Sequence, residues 1–292
     1  MKFSAGLRGR SSLSERARTG LSGNLRLVCA SHPERGTFLA EQSFSAPIHL
    51  SKSYWDGETL LINIVNQTAG IFGGDEITTQ VEVGPGARVF LSSPSAARFH
   101  PSHGREARLR QTFLIRAGGS LDVFPEISIP QRDSRSCQQT TIQVDTGGEL
   151  VYLETLAPGR VASGESFAFA RYAWSTDVHV AGRLVHRERA NLAPHDTSMT
   201  ALRALFPVSY YAGILVISPR SAEWGADFPQ EIAKLAADFP ARTAASKLSA
   251  GGWSIRVLAA DSLTLRQCIS KVRADIYARL GRRIPDPRRN GS

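Results

Sequence analysis

The sequence predicts a mainly β protein, built as a multi-stranded antiparallel sandwich or meander of hairpins with about two helices near the C-terminus. Two observations support this fold class. From residue 25 to about residue 192, short runs rich in Val, Ile, Thr and aromatic residues alternate with turns that contain glycine. Apolar residues at a clear helical spacing appear only after residue 228.

The strand predictions rest on these short apolar runs. They cover residues 60–65, 77–83, 87–92, 109–116, 140–144 and 150–154. Turns at residues 84–87, 117–120, 146–149 and 181–183 lie between them, and glycine there supplies the positive φ that short hairpins require. The turns recur about every 30 residues. We therefore expect successive hairpins joined by longer crossings.

Two helices are predicted in the last quarter of the chain. Residues 228–238 follow an apolar strand at 214–218. Residues 263–280 follow a strand near 253–258 and carry one apolar stripe, formed by Leu265, Ile269, Val272, Ile276 and Leu280. Gly281 ends this helix, and Pro285 and Pro287 prevent it from resuming.

The charge distribution divides the chain into three parts. The net charge is +9, but residues 1–20 and 271–292 carry the whole excess, so the 250 residues between them are neutral. We expect a flexible basic leader (1–22), a single β domain (23–281) that includes the helix 263–280, and a flexible basic tail (282–292). The high isoelectric point suggests a nucleic-acid-binding protein, whereas the neutral body and its lack of a basic stripe argue against a nucleic-acid partner.

Other global features exclude further classes. No apolar run approaches the length that crosses a bilayer, and the N-terminus lacks the apolar stretch of a secretory signal. The three cysteines are far apart and form no CxxC pair, which argues against a disulfide framework and a structural zinc site. We expect a cytoplasmic protein with no membrane partner.

Two loop segments contain the first candidate site residues. In NQTAGIFGGD (66–75), Gly70, Gly73 and Gly74 allow a tight loop and close approach of another backbone, and Asp75 is also suited to cap the turn. In SSPSAARFHPSH (92–103), His100 and His103 form an HxxH pair that can offer two imidazoles to nickel or zinc, although two surface histidines are the simpler interpretation. Arg98 suits an anion or a partner carboxylate.

Two later segments carry carboxylates. In LDVFPEISIP (121–130), Pro125 and Pro130 make a fully bonded central strand unfavourable, and Glu126, if it faces inward, needs a partner or a water-filled cavity. In GRVASGESF (159–167), Arg160 and Glu165 suit an ion pair.

A hydrolase is the alternative hypothesis. Glu126, Glu154 and Glu165 could supply the paired carboxylates of a glycosidase on a β scaffold. A Ser-His-Asp hydrolase is less favoured, because the sequence has no G-x-S-x-G elbow.

Taken in order, four stretches resemble the urease accessory protein family UreD, also called UreH. They are NQTAGIFGGD (66–75), VGPGARVFLSSPSAARFH (83–100), GGSLDVFPEISIPQRDS (118–134) and GRVASGESFAFAR (159–171), and the resemblance covers about residues 25–280. Ser95, Arg98 and His100 replace the Gly, Lys and Tyr that are frequent in the family's second stretch.

The resemblance implies a non-enzymatic scaffold, mainly β, that binds the urease structural subunits, recruits UreF and, through it, the nickel-carrying GTPase UreG. It further implies that nickel passes in transit through an internal water-filled route, with no tightly bound cofactor. The expected route residues are Asp75, Glu126, Arg160 and Glu165; the motif-loop residues are Gly70, Gly73, Gly74, Arg98 and Pro125; and His100 and His103 are the candidate metal ligands.

Overall fold

The computed structural model describes residues 20–196, 200, 210–249 and 251–286. The mainly β prediction is confirmed. In chain order the strands are β1 (Ser22–His32), β2 (Gly36–Ser45), β3 (Ile48–Leu50), β4 (Tyr54–Asp56), β5 (Thr59–Asn66), β6 (Glu76–Val83), β7 (Arg88–Ser92), β8 (Ala97–Phe99), β9 (Ala107–Ile115), β10 (Ser120–Phe124), β11 (Ser128–Pro130), β12 (Arg135–Val144), β13 (Glu149–Leu156), β14 (Arg171–Val180), β15 (Arg183–Leu192), β16 (Tyr210–Ile217), β17 (Ala241–Lys247) and β18 (Trp253–Ala259). The helices are α1 (Phe228–Leu235) and α2 (Ser262–Leu280).

The strands form two facing sheets. The seven-stranded sheet has the order β15-β14-β12-β9-β6-β1-β2. The eleven-stranded sheet has the order β17-β18-β16-β13-β10-β7-β5-β3, with β4, β8 and β11 at its margin. Between β5 and β14 the chain alternates from one sheet to the other, so each passage through both sheets makes one coil of a solenoid-like stack.

The prediction of a purely antiparallel sandwich is wrong. Strands of successive coils pair in parallel: Glu76 lies beside Arg108, Ala107 beside Ser136, and Arg135 beside Arg171. The eleven-stranded sheet is also parallel from β5 through β7 and β10 to β13. Antiparallel pairs lie toward the ends of the sheets, where β14 pairs with β15 and β13 with β16.

The glycine turns explain this difference. Three of the four predicted hairpin turns connect strands that lie in opposite sheets, and they stack on one another: the Gly118 amide donates to Gly147 O at 3.2 Å. The bonds that a hairpin would make within one coil are made to the next coil instead, as when the Arg116 amide donates to Val83 O. Only the turn at 181–182 joins two paired strands, β14 and β15.

Two hydrophobic cores follow from this arrangement. The larger one lies between the sheets, because alternate residues of each strand face the opposite sheet, as in the buried Val81, Phe113 and Ile142. The smaller one lies between the outer face of the eleven-stranded sheet and the helices, where Val216 and Ile255 pack with Phe228 and Ile276.

The helix predictions agree with the structure except at one end. Asp261 caps α2 by accepting a hydrogen bond from the Thr264 amide at 2.9 Å, and Gly281 ends it with φ of 63°. Helix α1 ends at Leu235, three residues earlier than predicted, since the chain must leave helical geometry before Pro240. Neither described helix is long and apolar enough to cross a bilayer.

The described residues of both predicted basic ends belong to the folded body. Residues 1–19 and 287–292 lie outside the described residues. The Leu21 amide donates to Asp75 Oδ1, and β1 starts at Ser22. At the other end, Arg282 Nη2 lies 2.7 Å from Asp122 Oδ2, and the Asp286 amide donates to Asp56 Oδ2 at 3.0 Å. The described residues of the predicted tail are therefore bonded to the β body.

The Asp122 contact fastens α2 to the sheet. Asp122 is fully buried on β10, and its Oδ2 also accepts a hydrogen bond from Tyr277 OH at 2.6 Å. Burial raises the pKa of this carboxyl, against the opposing effect of the Arg282 charge and the Tyr277 hydrogen bond. The charged form of Asp122 depends on the Arg282 guanidinium, because an unpaired buried carboxylate is strongly unfavourable.

We predict that Arg282→Met lowers the free energy of unfolding by about 3 kcal/mol, since it leaves Asp122 buried without its cation. Arg283→Gln is the matched control: Arg283 pairs with Asp56 but its side chain is 77% exposed, so its loss should cost less than about 1 kcal/mol. Urea unfolding of the full chain measures both. Equal stability of the two variants would contradict the prediction.

Candidate functional site

Each of the four sequence motifs contributes to a loop at one edge of the solenoid. These loops return from the eleven-stranded sheet to the seven-stranded sheet and cover residues 67–75, 93–106, 125–134 and 157–170. Because successive coils stack, these loops lie one above another, and we call them the motif wall. The glycine turns form the opposite edge.

Backbone hydrogen bonds join the loops of the wall. The Ile71 amide donates to Arg98 O at 2.7 Å, the Gln131 amide to Phe99 O at 2.9 Å, and the Ala157 amide to Ser128 O at 2.9 Å. Strands β8 and β11 pair in parallel inside the wall. A loop that lies between two others must satisfy its polar backbone groups through them, which fixes the order and spacing of the motifs.

Asp75 and the glycines shape the first loop. Asp75 is buried, its Oδ1 accepts from the Leu21 amide and its Oδ2 from the Phe72 amide, both at 2.8 Å, so it acts as a cap. A Cβ on Gly70 would lie 2.4 Å from Arg98 O, and one on Gly73 would lie 2.4 Å from Ser102 O. Gly74 has φ of 91° beside Arg105. These residues allow the first two loops to touch.

The two histidines lie on the outside of the second loop. His100 stacks on Phe72 with ring centroids 4.4 Å apart, and its Nε2 lies 3.1 Å from Ala69 O. His103 is exposed, with φ of 45°. Across the described part of the chain, no three His, Cys, Asp or Glu side chains are grouped so that they could hold a metal ion.

Arg160 and Glu165 form the expected ion pair in the fourth loop. Arg160 Nε donates to Glu165 Oε2 at 3.0 Å, and Nη2 donates to Oε1 at 2.5 Å. The Arg160 hydrogen bond holds the pKa of Glu165 below its usual value although burial opposes it. Both oxygens of Glu165 are therefore engaged by one guanidinium.

A cavity of about 340 Å³ lies between the sheets behind the motif wall. Gly70, Arg98, Pro125 and Glu126 line it on the wall side, so the structure brings these four predicted residues together. Glu126 is exposed rather than buried, and its Oε2 lies 3.4 Å from Arg266 Nη2 of α2. Asp75, Arg160, Glu165, Gly73, Gly74 and both histidines are not among the lining residues.

A row of polar side chains crosses the inner face of the seven-stranded sheet. Strand register places five side chains on adjacent strands at one level: Thr79, Gln111, Thr140, Thr176 and Glu188. We call this set the polar row. The Thr140 hydroxyl donates to Gln111 Oε1 at 3.1 Å, which links two of its members.

Glu154 faces the polar row from the other sheet and lines the cavity. Gln138 Nε2 donates to its Oε1 at 2.8 Å, and the Thr176 hydroxyl donates to its Oε2 at 3.4 Å. Burial and then the negative charge of Glu188 raise the pKa of Glu154 to about 7. Glu154 therefore exchanges its proton near neutral pH.

Three tyrosine hydroxyls and an indole N–H also line the cavity. Burial raises the pKa of Tyr152, Tyr172 and Tyr211, so their hydroxyls stay protonated at neutral pH. Trp174 lines the same cavity and is buried, and its Nε1 has no hydrogen-bond partner among the residues that the structure describes. A buried donor of this kind normally bonds to water. The Glu154 carboxylate and the hydroxyl and amide oxygens of the lining make the cavity chemically suited to water and to a small polar or cationic solute.

Sequence reasoning missed the central position of Glu154. It appeared there only as one of three carboxylates of a possible hydrolase, with Glu126 and Glu165. The structure places Glu154 inside the cavity, Glu126 at its edge, and Glu165 outside its lining. The available signal was the position of Glu154 after the apolar run LVYL in strand β13.

Comparison with known proteins gives the same family as the resemblance of the four sequence motifs. A family model described as UreD urease accessory protein matches residues 21–290. The chain is 36% identical over 276 residues to "Urease accessory protein UreD" of Opitutus terrae, which covers 92% of this chain and 98% of that protein. It is 35% identical over 228 residues to the protein of the same name from Deinococcus radiodurans, covering 75% and 78% of the two chains.

We predict that Glu154→Gln removes a pH dependence of stability. Since the pKa of Glu154 is raised by folding, its stabilising contribution is complete below about pH 4.5 and is lost as the pH rises through about 7. Relative to wild type, the variant should gain on the order of 2 kcal/mol between pH 4.5 and pH 8. Urea unfolding at both pH values measures this difference, and a constant difference would contradict the prediction.

We also predict that Gly70→Ala destabilises the motif wall by about 2 kcal/mol, because the new Cβ overlaps the Arg98 carbonyl oxygen. Gly225→Ala is the control, since its Cβ would approach no atom closer than 3.9 Å. Thermal unfolding of the full chain compares them. A Gly70 variant as stable as the control would show that the two loops can separate without cost.

Proposed function

Because the chain belongs to the UreD family of urease accessory proteins, we propose that it is a non-enzymatic scaffold of urease maturation. In this role it binds the urease structural subunits together with UreF and UreG, and nickel reaches the urease active site through its inter-sheet cavity. The family supports the accessory role. The observation that supports the nickel route is the position of Glu154 and the polar row behind the motif wall.

The cavity chemistry suits a cation in transit. Carboxylate, amide and hydroxyl oxygens bind nickel more weakly than a closed set of imidazole or thiolate ligands, so the ion can move on. Glu154 offers a carboxylate whose proton can leave at neutral pH. Cys29 and Cys268 are buried, and Cys29 has its thiol pKa raised by burial, which disfavours the thiolate that would trap the metal.

The hydrolase alternative lacks a comparable arrangement. A glycosidase needs two carboxylates that face one substrate, one of them free to act as nucleophile or base. Glu165 is held by Arg160 and Glu126 lies beside Arg266, which leaves Glu154 as the one of the three candidates without a salt bridge among the described residues.

The accessory role is tested by co-expression of the full chain with the urease subunits, UreF and UreG. We expect the chain to co-purify with these partners, and we expect its deletion to lower the nickel content of urease, measured by elemental analysis. If the chain stays outside the complex and urease nickel is unchanged, the proposal is wrong.

The nickel route is tested by Glu154→Gln in the same system. We expect urease nickel to fall at least severalfold while the complex still assembles, since the variant keeps the shape of the side chain and loses its charge. Glu58→Gln is the matched control, because Glu58 forms a surface pair with Arg88 and its side chain is 78% exposed. Normal nickel loading with the Glu154 variant would exclude this carboxylate from the route.

A further inference from the structure

The polar row ends at an ion pair that ties the two sheets together. Glu188, on the last strand of the seven-stranded sheet, bonds to Arg256 of β18 in the opposite sheet. Tyr211 OH donates to Glu188 Oε1 at 2.8 Å, and His186 Nε2 lies 3.7 Å from Oε2. The side chains of Arg256 and Glu188 are 28% and 17% exposed, so the ion pair is partly buried.

Gly213 contributes no side chain to the space beside this ion pair. Strand register in the eleven-stranded sheet places Glu154, Gly213 and Arg256 side by side on three adjacent strands. A Cβ on Gly213 would lie 2.7 Å from Tyr211 OH and 3.5 Å from Arg256 Nη1. The Tyr211 hydroxyl therefore fills a slot above Gly213, between Glu154 and the ion pair.

Two carboxylates flank the slot: Glu154 lies beside Gly213 by strand register, and Glu188 accepts the hydrogen bond of Tyr211. Glu154 and Glu188 are separated by Thr176, which lies opposite Glu188 and donates to Glu154. Arg256 supplies one positive charge and bonds directly to only one of the two carboxylates. A divalent cation in the slot would be attracted by both carboxylates. Tyr211 approaches the Gly213 position with the hydroxyl end of its ring.

Resting on the function proposed above, we propose that Glu188, Arg256 and Tyr211 form a closed gate beside the cavity, where Tyr211 lines it, and that a divalent cation opens it by replacing the Arg256 guanidinium on Glu188. The unpartnered N–H of Trp174, whose ring centroid lies 5.7 Å from that of Tyr211, marks a polar interior next to this gate. The Arg256 side chain is partly exposed, which gives its guanidinium a path to solvent when it is displaced.

Equilibrium dialysis of the purified full chain against Ni²⁺ tests the exchange directly. Arg256→Gln should bind Ni²⁺ about tenfold more tightly than wild type, because Glu188 no longer has a competing cation. Adding Glu188→Gln to this variant should remove the gain. Arg187→Gln is the matched control, since Arg187 pairs with Asp177 on the solvent face of the same strand. Equal affinity of the Arg256 variant and wild type would overturn the gate.

Nickel loading of urease in the co-expression system tests passage through the slot. Gly213→Ala should lower urease nickel at least threefold, by placing a methyl group in the slot, while circular dichroism and complex assembly stay unchanged. Tyr211→Phe keeps the ring and removes the hydroxyl bond, so it should load nickel at least as fast as wild type. Wild-type loading by the Gly213 variant would place the exit elsewhere.

The two proposals fail in different ways. If the wild-type chain does not raise urease nickel, the accessory route is wrong, while dialysis still reports whether Arg256 and a cation compete for Glu188. If wild type loads nickel and the Gly213 variant does so equally well, the route stands and the gate is wrong.

Discussion

Parallel stacking of the coils is the constraint on which the rest of the structure depends. A loop between two other loops must satisfy its N–H and C=O groups through its neighbours, and here the amides of Ile71, Gln131 and Ala157 do so across the motif wall. The close approach is possible only where a side chain is missing, as at Gly70 and Gly73. The same stacking aligns alternate side chains into rows, so one polar residue per strand becomes a continuous polar line through the core.

The polar row lowers the stability of a fold that depends on apolar burial. Thr140 and Thr176 occupy positions where Val would pack with less penalty, and Glu154 carries a carboxyl that the interior prefers to keep neutral. Their hydrogen bonds reduce the cost but do not remove it. A protein that needed only stability would replace these residues, so their presence supports a role for the cavity in transport of a polar solute.

Sequence patterns predicted the positions of the six early strands and both described helices, because alternation and helical spacing are local properties. They did not predict how the strands pair. A turn such as 84–87 reverses the chain whether the flanking strands pair or face each other across a core, and the choice depends on residues 30 positions away. Arg282 illustrates the same limit: beside Pro285 and Pro287 it resembles a flexible tail, but its partner Asp122 is 160 residues distant. The apolar neighbours of Glu126 left its direction open, and only the fold shows that it is exposed at the edge of the cavity beside Arg266 of α2.

The polar row also has a defined length across the seven-stranded sheet. From Thr79 to Glu188 it takes four steps between neighbouring strands, about 19 Å at the usual strand spacing. Because each coil adds one strand to the row, the length of the row can change only in whole strand spacings. A relative with one coil more or fewer would therefore have a row about 5 Å longer or shorter.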